Sequence, residues 1–422
     1  MKVLHLSAHD HGGAGMASFR FHRNLAARGI NSKMLVLSKR TEDPNVISLD
    51  RLGYINKVYR LASKAILKIR SNPDYYFQDQ TKSALNASTD YFDEIGFYPD
   101  LIVVHWISGF VSLEDIHRMS ARDNTPVIWY MMDMAPLTGG CHYAWDCVGY
   151  TNECGNCPAL YSASSRDMSS EIWMKKYTFI QRLNITVVAG SWLINHAEKA
   201  ALFNKKRKEK IMLGVDAGIY RPCARVDARK SLDLPAGKKV LFAGSQSMKQ
   251  RRKGMKYFLE AVNILEKSEA VNKDNIVIVT AGDITAQKSL RNTSFEHIHL
   301  GFLKESELIS AYQAADVFVC PSIEEAGPMM IKESIMCGTP VVSFNMGAAV
   351  DLVRTGVTGY RAALMNSSDL AKGIMQILNL TPVDAQKVSG NCRDIGLKLS
   401  SEEIQVGEFI SLAGDIVAES HA

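Results

Sequence analysis

Short apolar runs bounded by turn residues punctuate the chain at residues 3–6, 32–37, 101–105, 127–132 and 185–189, and again at 239–242, 276–280, 298–300, 317–320 and 341–344. Longer stretches with apolar positions at helical spacing lie between them. A run that is apolar at nearly every position reads as a strand buried on both faces, and strand–helix alternation predicts parallel, doubly wound sheets. The scheme occurs twice. The expected fold is therefore α/β, with two doubly wound Rossmann-like domains facing across a cleft, where an active site would naturally lie. The basic run at 205–210, followed by apolar residues 211–215, is the expected boundary. It divides the chain into a first domain at 1–210, a second at 211–398, and a closing helix at 399–422 placed to pack back on the first domain.

One helical stretch differs from the rest. Within residues 51–71, Tyr54, Ile55, Val58, Tyr59, Ala62, Ala65, Ile66 and Ile69 recur at helical spacing, while Lys57, Arg60, Lys64 and Lys68 line the other face. A basic amphipathic helix suits peripheral contact with anionic lipid; an ordinary surface helix with a solvated basic face has the same pattern.

Composition narrows the class. Over 422 residues, 46% are hydrophobic and 22% charged, the balance of a soluble globular protein. The net charge of +5 is too mild at this length to imply a nucleic-acid partner. No stretch approaches the ~20 apolar residues of a membrane span, and the first residues do not read as a signal peptide. The expected location is cytoplasmic, at the inner face of the membrane if 51–71 meets lipid. Eight cysteines in that setting suggest thiols or metal ligands rather than disulfides. Cys141, Cys147, Cys154 and Cys157 have the spacing of a closed four-sulfur structural zinc site in an insert at 139–160, with His142 as an alternative ligand.

The sharpest chemical signal is a pair of glutamates, Glu325 and Glu333. The run 316–320 reads as a buried strand ending at Pro321, and 330–337 as a helix stopped by Gly338 and Pro340. One carboxylate thus lies in a loop at a strand's carboxyl end and the other in the next helix. Ligands bind at that edge of an open α/β sheet, and the helix start between the glutamates offers free N–H groups to a phosphate. Two acceptors flanking a phosphate site suit a nucleotide sugar. Gly244 follows a strand nearby, and Arg252 and Lys253 precede a helix, placed to hold a diphosphate leaving group. At the amino end, Gly13 and Gly15 follow the first strand and open a helix. A dinucleotide reading of that loop is weak, because Ser18 stands where a third glycine belongs and no acidic residue closes the second strand. His11, His105 and His142 are the acceptor-side candidates, with a hydrogen-bonded core position as the other reading of His105.

Taken together, Pro321, Ser322, Glu325 and Glu333, followed by Cys337, Gly338, Thr339 and Pro340, resemble the motif of retaining glycosyltransferases of family 4, which have the two-domain GT-B fold. The resemblance extends to Gly12, Gly13, Ala14 and Gly15, to Ser191 and Trp192, to Gly214, Val215 and Asp216, to Arg252, Lys253 and Gly254, and to residues 347–360. It implies transfer of a hexose from a nucleotide diphosphate sugar, with retention, to a glycan or lipid-linked acceptor in surface polysaccharide assembly, without a catalytic metal. It also implies Glu325 near the donor sugar, Glu333 on the ribose, and Arg252 and Lys253 on the diphosphate. Backbone N–H groups around Gly327, Met329 and Met330 would meet the phosphates, and the base would lie by Phe302 and Leu303. Asp133 joins Glu325, Arg252 and Lys253 as a catalytic candidate. Two departures stand out. Met132 occupies a position where the resemblance expects histidine, and Pro328 removes one N–H from the phosphate-facing loop. A catalytically silent GT-B scaffold is the competing expectation.

Overall fold

The computed structural model describes residues 1–49, 71–85, 90–247, 249–283 and 290–421. The basic stretch at 51–71 lies, apart from Ser71, outside them. The chain forms two units, Met1–Leu213 with Gln405–Ala422, and Gly214–Ile404.

The first unit is built on a seven-stranded parallel sheet in the order β3-β2-β1-β4-β5-β6-β7. Its strands are β1 (Lys2–His9), β2 (Asn31–Ser38), β3 (Val46–Ser48), β4 (Leu101–Val104), β5 (Val127–Tyr130), β6 (Ile185–Ala189) and β7 (Arg207–Lys210). β4, β5 and β6 are buried at every position, as a parallel sheet covered on both faces requires. The basic run that closes the expected first domain forms β7, an edge strand, where charged side chains discourage further pairing. Helix α1 (Gly12–Ala27) follows β1, and α2 (Leu113–Asp123) begins at a capping box formed by Ser112 and Asp115.

The last helix, α3 (Glu402–His421), contributes Val406, Phe409, Leu412, Ala413 and Ile416 to the core formed by Val3, Phe21, Leu25, Leu101, Val103, Ile128 and Tyr130. Phe409 meets Phe21 edge to face at 4.8 Å, and Gln405 donates from Nε2 to the Tyr130 hydroxyl at 3.0 Å. Among the described residues, no helix is long and apolar enough to cross a membrane.

The second unit has a six-stranded parallel sheet, in the order β10-β9-β8-β11-β12-β13. These are β8 (Lys239–Ser245), β9 (Ile276–Gly282), β10 (Glu296–His299), β11 (Val317–Cys320), β12 (Val341–Phe344) and β13 (Gly359–Ala362). Asp316, at the entrance to β11, accepts from Arg229 at 2.8 Å and from the Val240 N–H at 2.8 Å, which ties β11 to the start of β8. In both sheets the strand order reverses beside the first strand, between β1 and β4 and between β8 and β11. Each reversal leaves a crevice at the strands' carboxyl ends.

Candidate functional site

The crevice of the second unit holds the first glutamate. β8 runs into a loop that ends in a short turn, Arg251–Lys253, and Gly254 then starts the helix Met255–Lys267. β11 runs into Pro321 and the loop that carries Glu325. The two loops are fastened together: the Ile323 N–H donates to the Arg252 carbonyl at 2.8 Å. Gly254 has φ +66°, and a Cβ there would lie 1.8 Å from the Pro321 carbonyl oxygen. Only glycine allows this approach.

The result is a compact charge cluster. Arg252 Nη1 lies 2.9 Å from Glu325 Oε1, and Lys253 Nζ donates to the same oxygen. The other carboxylate oxygen, Oε2, is buried and has no hydrogen-bond partner. Burial opposes the charge on Glu325, but Lys253 and Arg252 outweigh it and hold the carboxyl below its ordinary range.

The second glutamate is anchored differently. Helix α4 (Met329–Met336) starts directly after Pro328 and carries Glu333 on its buried side. Tyr312 donates its hydroxyl to Glu333 Oε2 at 2.9 Å. Between the two glutamates, Lys332 is buried with Nζ 3.8 Å from Met329 Sδ, and burial lowers its pKa to about 8. Gly327, Met329 and Met330 are partly exposed at the head of this helix. Gly244 lies within β8. Phe302 is 71% exposed just beyond β10, and Leu303 follows it, half-buried.

The first unit gathers a second polar group at the carboxyl ends of β1, β4 and β5. Asp133 Oδ2 takes His142 Nδ1 at 2.6 Å and Trp106 Nε1 at 3.0 Å, and Asp133 Oδ1 takes the Ala135 N–H at 2.9 Å. Rings continue the row: His142 to Trp106 at 5.7 Å, Trp106 to His9 at 6.0 Å, and His9 to His11 at 5.0 Å. His11 precedes the first turn of α1, which contains Gly13 and Gly15, and its Nδ1 lies 3.0 Å from Asp10 Oδ1.

His105 is not part of this group. Neighbouring residues in an extended segment point to opposite sides, so Trp106 joins the polar row while His105 turns into the core. It is 2% exposed there and pairs its Nε2 with His5 Nδ1 at 2.8 Å. The acceptor-side expectation for His105 is corrected accordingly.

Comparison with known proteins identifies one domain of the chain. The family model described as "Glycosyl transferases group 1" matches residues 237–380, the stretch that contains both glutamates and the Arg252–Lys253 turn. This chain carries a group 1 glycosyltransferase domain. A glycosyltransferase of Methanocaldococcus jannaschii described as uncharacterized is 24% identical over 242 residues, covering 54% of this chain and 59% of that protein. D-inositol 3-phosphate glycosyltransferase of Paenarthrobacter aurescens is 30% identical over 171 residues, covering 38% and 40%. The chain thus spans between two fifths and three fifths of the length of these relatives.

Solved structures resemble the whole chain. Sucrose-phosphate synthase from Thermosynechococcus elongatus superposes with a TM-score of 0.67 at 17% identity, covering 99% of each chain. The Anabaena protein HepE, solved in complex with UDP-glucose, gives 0.61 at 15% identity, covering 97% of this chain and 99% of that one. At such identities the likeness establishes the fold, which is the GT-B type.

Cys141, Cys147, Cys154 and Cys157 line one small cavity of about 20 Å³. Among the described residues, however, no three His, Cys, Asp or Glu side chains are grouped to hold a metal ion. The four-sulfur zinc expectation thus finds no support among the described residues. Cys141 and Cys157 hydrogen-bond to each other and pack with Phe77, Ala159 and Ile172, as small apolar side chains do, and Cys154 Sγ accepts the Gly139 N–H at 3.2 Å. The hydrogen bond from Cys141 brings the Cys157 thiol down to about 7, while burial pushes Cys154 up to about 12.

Three partners at these sites escaped the sequence reading. Tyr312 lies 21 residues from Glu333, and nothing in the spacing links them. Trp106 was visible only as the end of a strand. Lys176 is buried and donates to the Ala135 and Thr138 carbonyls at 2.7 and 2.8 Å, bracing the segment after Asp133. Its helical spacing resembled any amphipathic helix, so no signal marked it.

Proposed function

We propose that the protein is a retaining glycosyltransferase that moves a hexose from a nucleotide diphosphate sugar to a glycan or lipid-linked acceptor, in surface polysaccharide assembly. The observation that carries this reading is the convergence of Arg252, Lys253 and Glu325 at the β8/β11 reversal, inside the matched domain. Two fixed cations suit a diphosphate whose negative charge grows as its bond to the sugar breaks. Removing one such preorganised donor costs roughly 3–4 kcal/mol of barrier. The buried free oxygen of Glu325 calls for a hydrogen-bond donor, which a sugar hydroxyl supplies. Glu333, oriented by Tyr312, offers a second carboxylate suited to the ribose hydroxyls.

In the step itself, the bond between the anomeric carbon and the diphosphate oxygen breaks. The acceptor oxygen forms its bond to that carbon on the same face, and the acceptor proton passes to the departing diphosphate. Met132 cannot carry a proton, so this route leaves the transfer to the substrate's own phosphate. Asp133, His11 and His142 are assigned to the acceptor hydroxyls. In support of the donor class, HepE shares the fold and was solved with UDP-glucose.

The test is a thermal-shift panel of UDP, GDP, ADP, CMP and NADPH, followed by a transfer assay with the donor of the matching base. A ligand at ~100 times its dissociation constant stabilises by about 2.7 kcal/mol, so one nucleoside diphosphate should raise the melting temperature by several degrees. Glu325→Ala should abolish transfer. Met132 and Pro328 favour a second reading, a catalytically silent scaffold; wild type and Glu325→Ala equally inert with every donor would select it.

A further inference from the structure

We propose that Glu325 makes the site prefer an intact nucleotide diphosphate sugar over the bare nucleoside diphosphate left after transfer. The inference rests on the function proposed above and adds a selectivity to that site.

Three observations support it. Arg252 and Lys253 are both drawn to one carboxylate oxygen, so the two cations arrive at the ligand already partly neutralised. The carboxylate is only 13% exposed by side-chain area, which limits screening by water. Its other oxygen is buried and makes no hydrogen bond, although the Ser322 side chain lies beside the carboxylate and favours its charge.

The two ligands meet this arrangement differently. In the sugar conjugate the terminal phosphate is esterified and carries one negative charge. Beyond it stand hydroxyl groups, and one of them donating to Oε2 removes the cost of the orphaned acceptor. In the bare nucleoside diphosphate the terminal phosphate is free. Its second ionisation, with a pKa near ~6, adds close to one more negative charge at neutral pH. That charge competes with the Glu325 carboxylate for the same Arg252 and Lys253 and is repelled by it at close range. No hydroxyl is left for Oε2. The carboxylate therefore attracts the donor and disfavours the spent nucleotide, which aids release of product.

The prediction runs against the usual effect of deleting a site residue. In Glu325→Gln the amide keeps the shape and loses the charge, so bare nucleoside diphosphate should bind about tenfold more tightly, while the sugar conjugate should bind more weakly by a similar factor. The experiment is isothermal titration calorimetry on the full chain with UDP, GDP and ADP and with their glucose conjugates, for wild type and Glu325→Gln. Wild type should favour a conjugate over its own nucleotide, and the variant should reverse that order. A variant that weakens both ligands in equal proportion, or that leaves their ratio unchanged, overturns the inference and leaves the proposed function standing. Wild type that binds none of the six ligands overturns both. Should Glu325→Gln fail to fold, as circular dichroism would reveal, Glu325→Asp withdraws the carboxylate by one methylene. The ratio should then move in the same direction by a smaller factor, and an unmoved ratio counts against the inference.

Discussion

Gly254 shows how much of the site hangs on a single residue. Its positive φ turns the chain from the Arg252–Lys253 pair into the following helix, and its bare Cα lets the Pro321 carbonyl pass. Those contacts bring a loop that follows β8 against one that follows β11, so that two cations reach Glu325. Gly347 plays the same part beneath the glutamate, where an added Cβ would lie 2.4 Å from the Glu325 carbonyl. Gly254→Ala must strain the turn or push the loops apart. It should cost on the order of 1–3 kcal/mol of the second unit's stability, and nucleoside diphosphate binding should fall further than that loss explains. Urea unfolding and calorimetry on the same variant check both numbers. Unchanged binding would mean that the loops do not need this approach. At this scale the sequence was informative about which residues matter and silent about their partners. Glu325, Arg252 and Lys253 stand out in the chain, but 72 and 73 residues separate the cations from the carboxylate, and no local pattern reports their contact.

At the scale of elements, the strands were the most legible feature. A strand covered on both faces is apolar at nearly every position, and β4, β5, β6, β11 and β12 advertise this. Strands β3, β7 and β13, at sheet edges, are short and partly polar or glycine-containing, so no apolar run marks them in the sequence. Between β1, β4 and α1, the first unit encloses three buried histidines, His5, His22 and His105, with His22 Nδ1 2.7 Å from Ser32 Oγ. Burial lowers the pKa of all three, to about 4 for His22 and about 3 for His105. Asp43 favours a proton on His22, Arg23 opposes it, and the histidines repel a charge on one another.

In the unfolded chain each histidine takes up its proton near pH 6.5. Above that pH the folded and unfolded states hold equal numbers of protons and stability is full. As pH falls below 6.5, the unfolded state gains protons that the folded core refuses, and stability drops by up to about 1.4 kcal/mol per pH unit for each histidine. Urea unfolding of the first unit at pH 7.5, 6.0 and 5.0 should show a steady loss below 6.5, reduced in slope in His105→Gln. A flat profile would contradict the buried neutral state.

For the whole molecule, the notable feature is that the first unit is completed by the end of the chain. Phe409, Leu412 and Ile416 cover the face of the sheet that carries Val103, Ile128 and Tyr130. Phe409→Ala should cost about 3–5 kcal/mol, a large part of a typical domain's stability of about 5–15 kcal/mol. A chain ending at residue 404 should lose the first unit's cooperative unfolding transition in calorimetry. The second unit contains Arg252, Lys253, Glu325 and Glu333 on its own, so it should keep its transition and its nucleotide-induced shift. If the shortened chain unfolds in two unchanged transitions, the helix is dispensable.

The division between chain and fold has a plain physical basis. Backbone periodicity and local turn chemistry act over a few residues. The strands, the helix starts, the α/β class and the paired glutamates with a helix start between them were therefore readable from order alone. Burial and hydrogen bonding join residues far apart in the chain. The fold alone could turn His105 inward and Trp106 outward, give Glu333 its tyrosine, and leave one oxygen of Glu325 without a partner. It also set the Cys141 and Cys157 thiols among apolar neighbours and made a basic run into an edge strand.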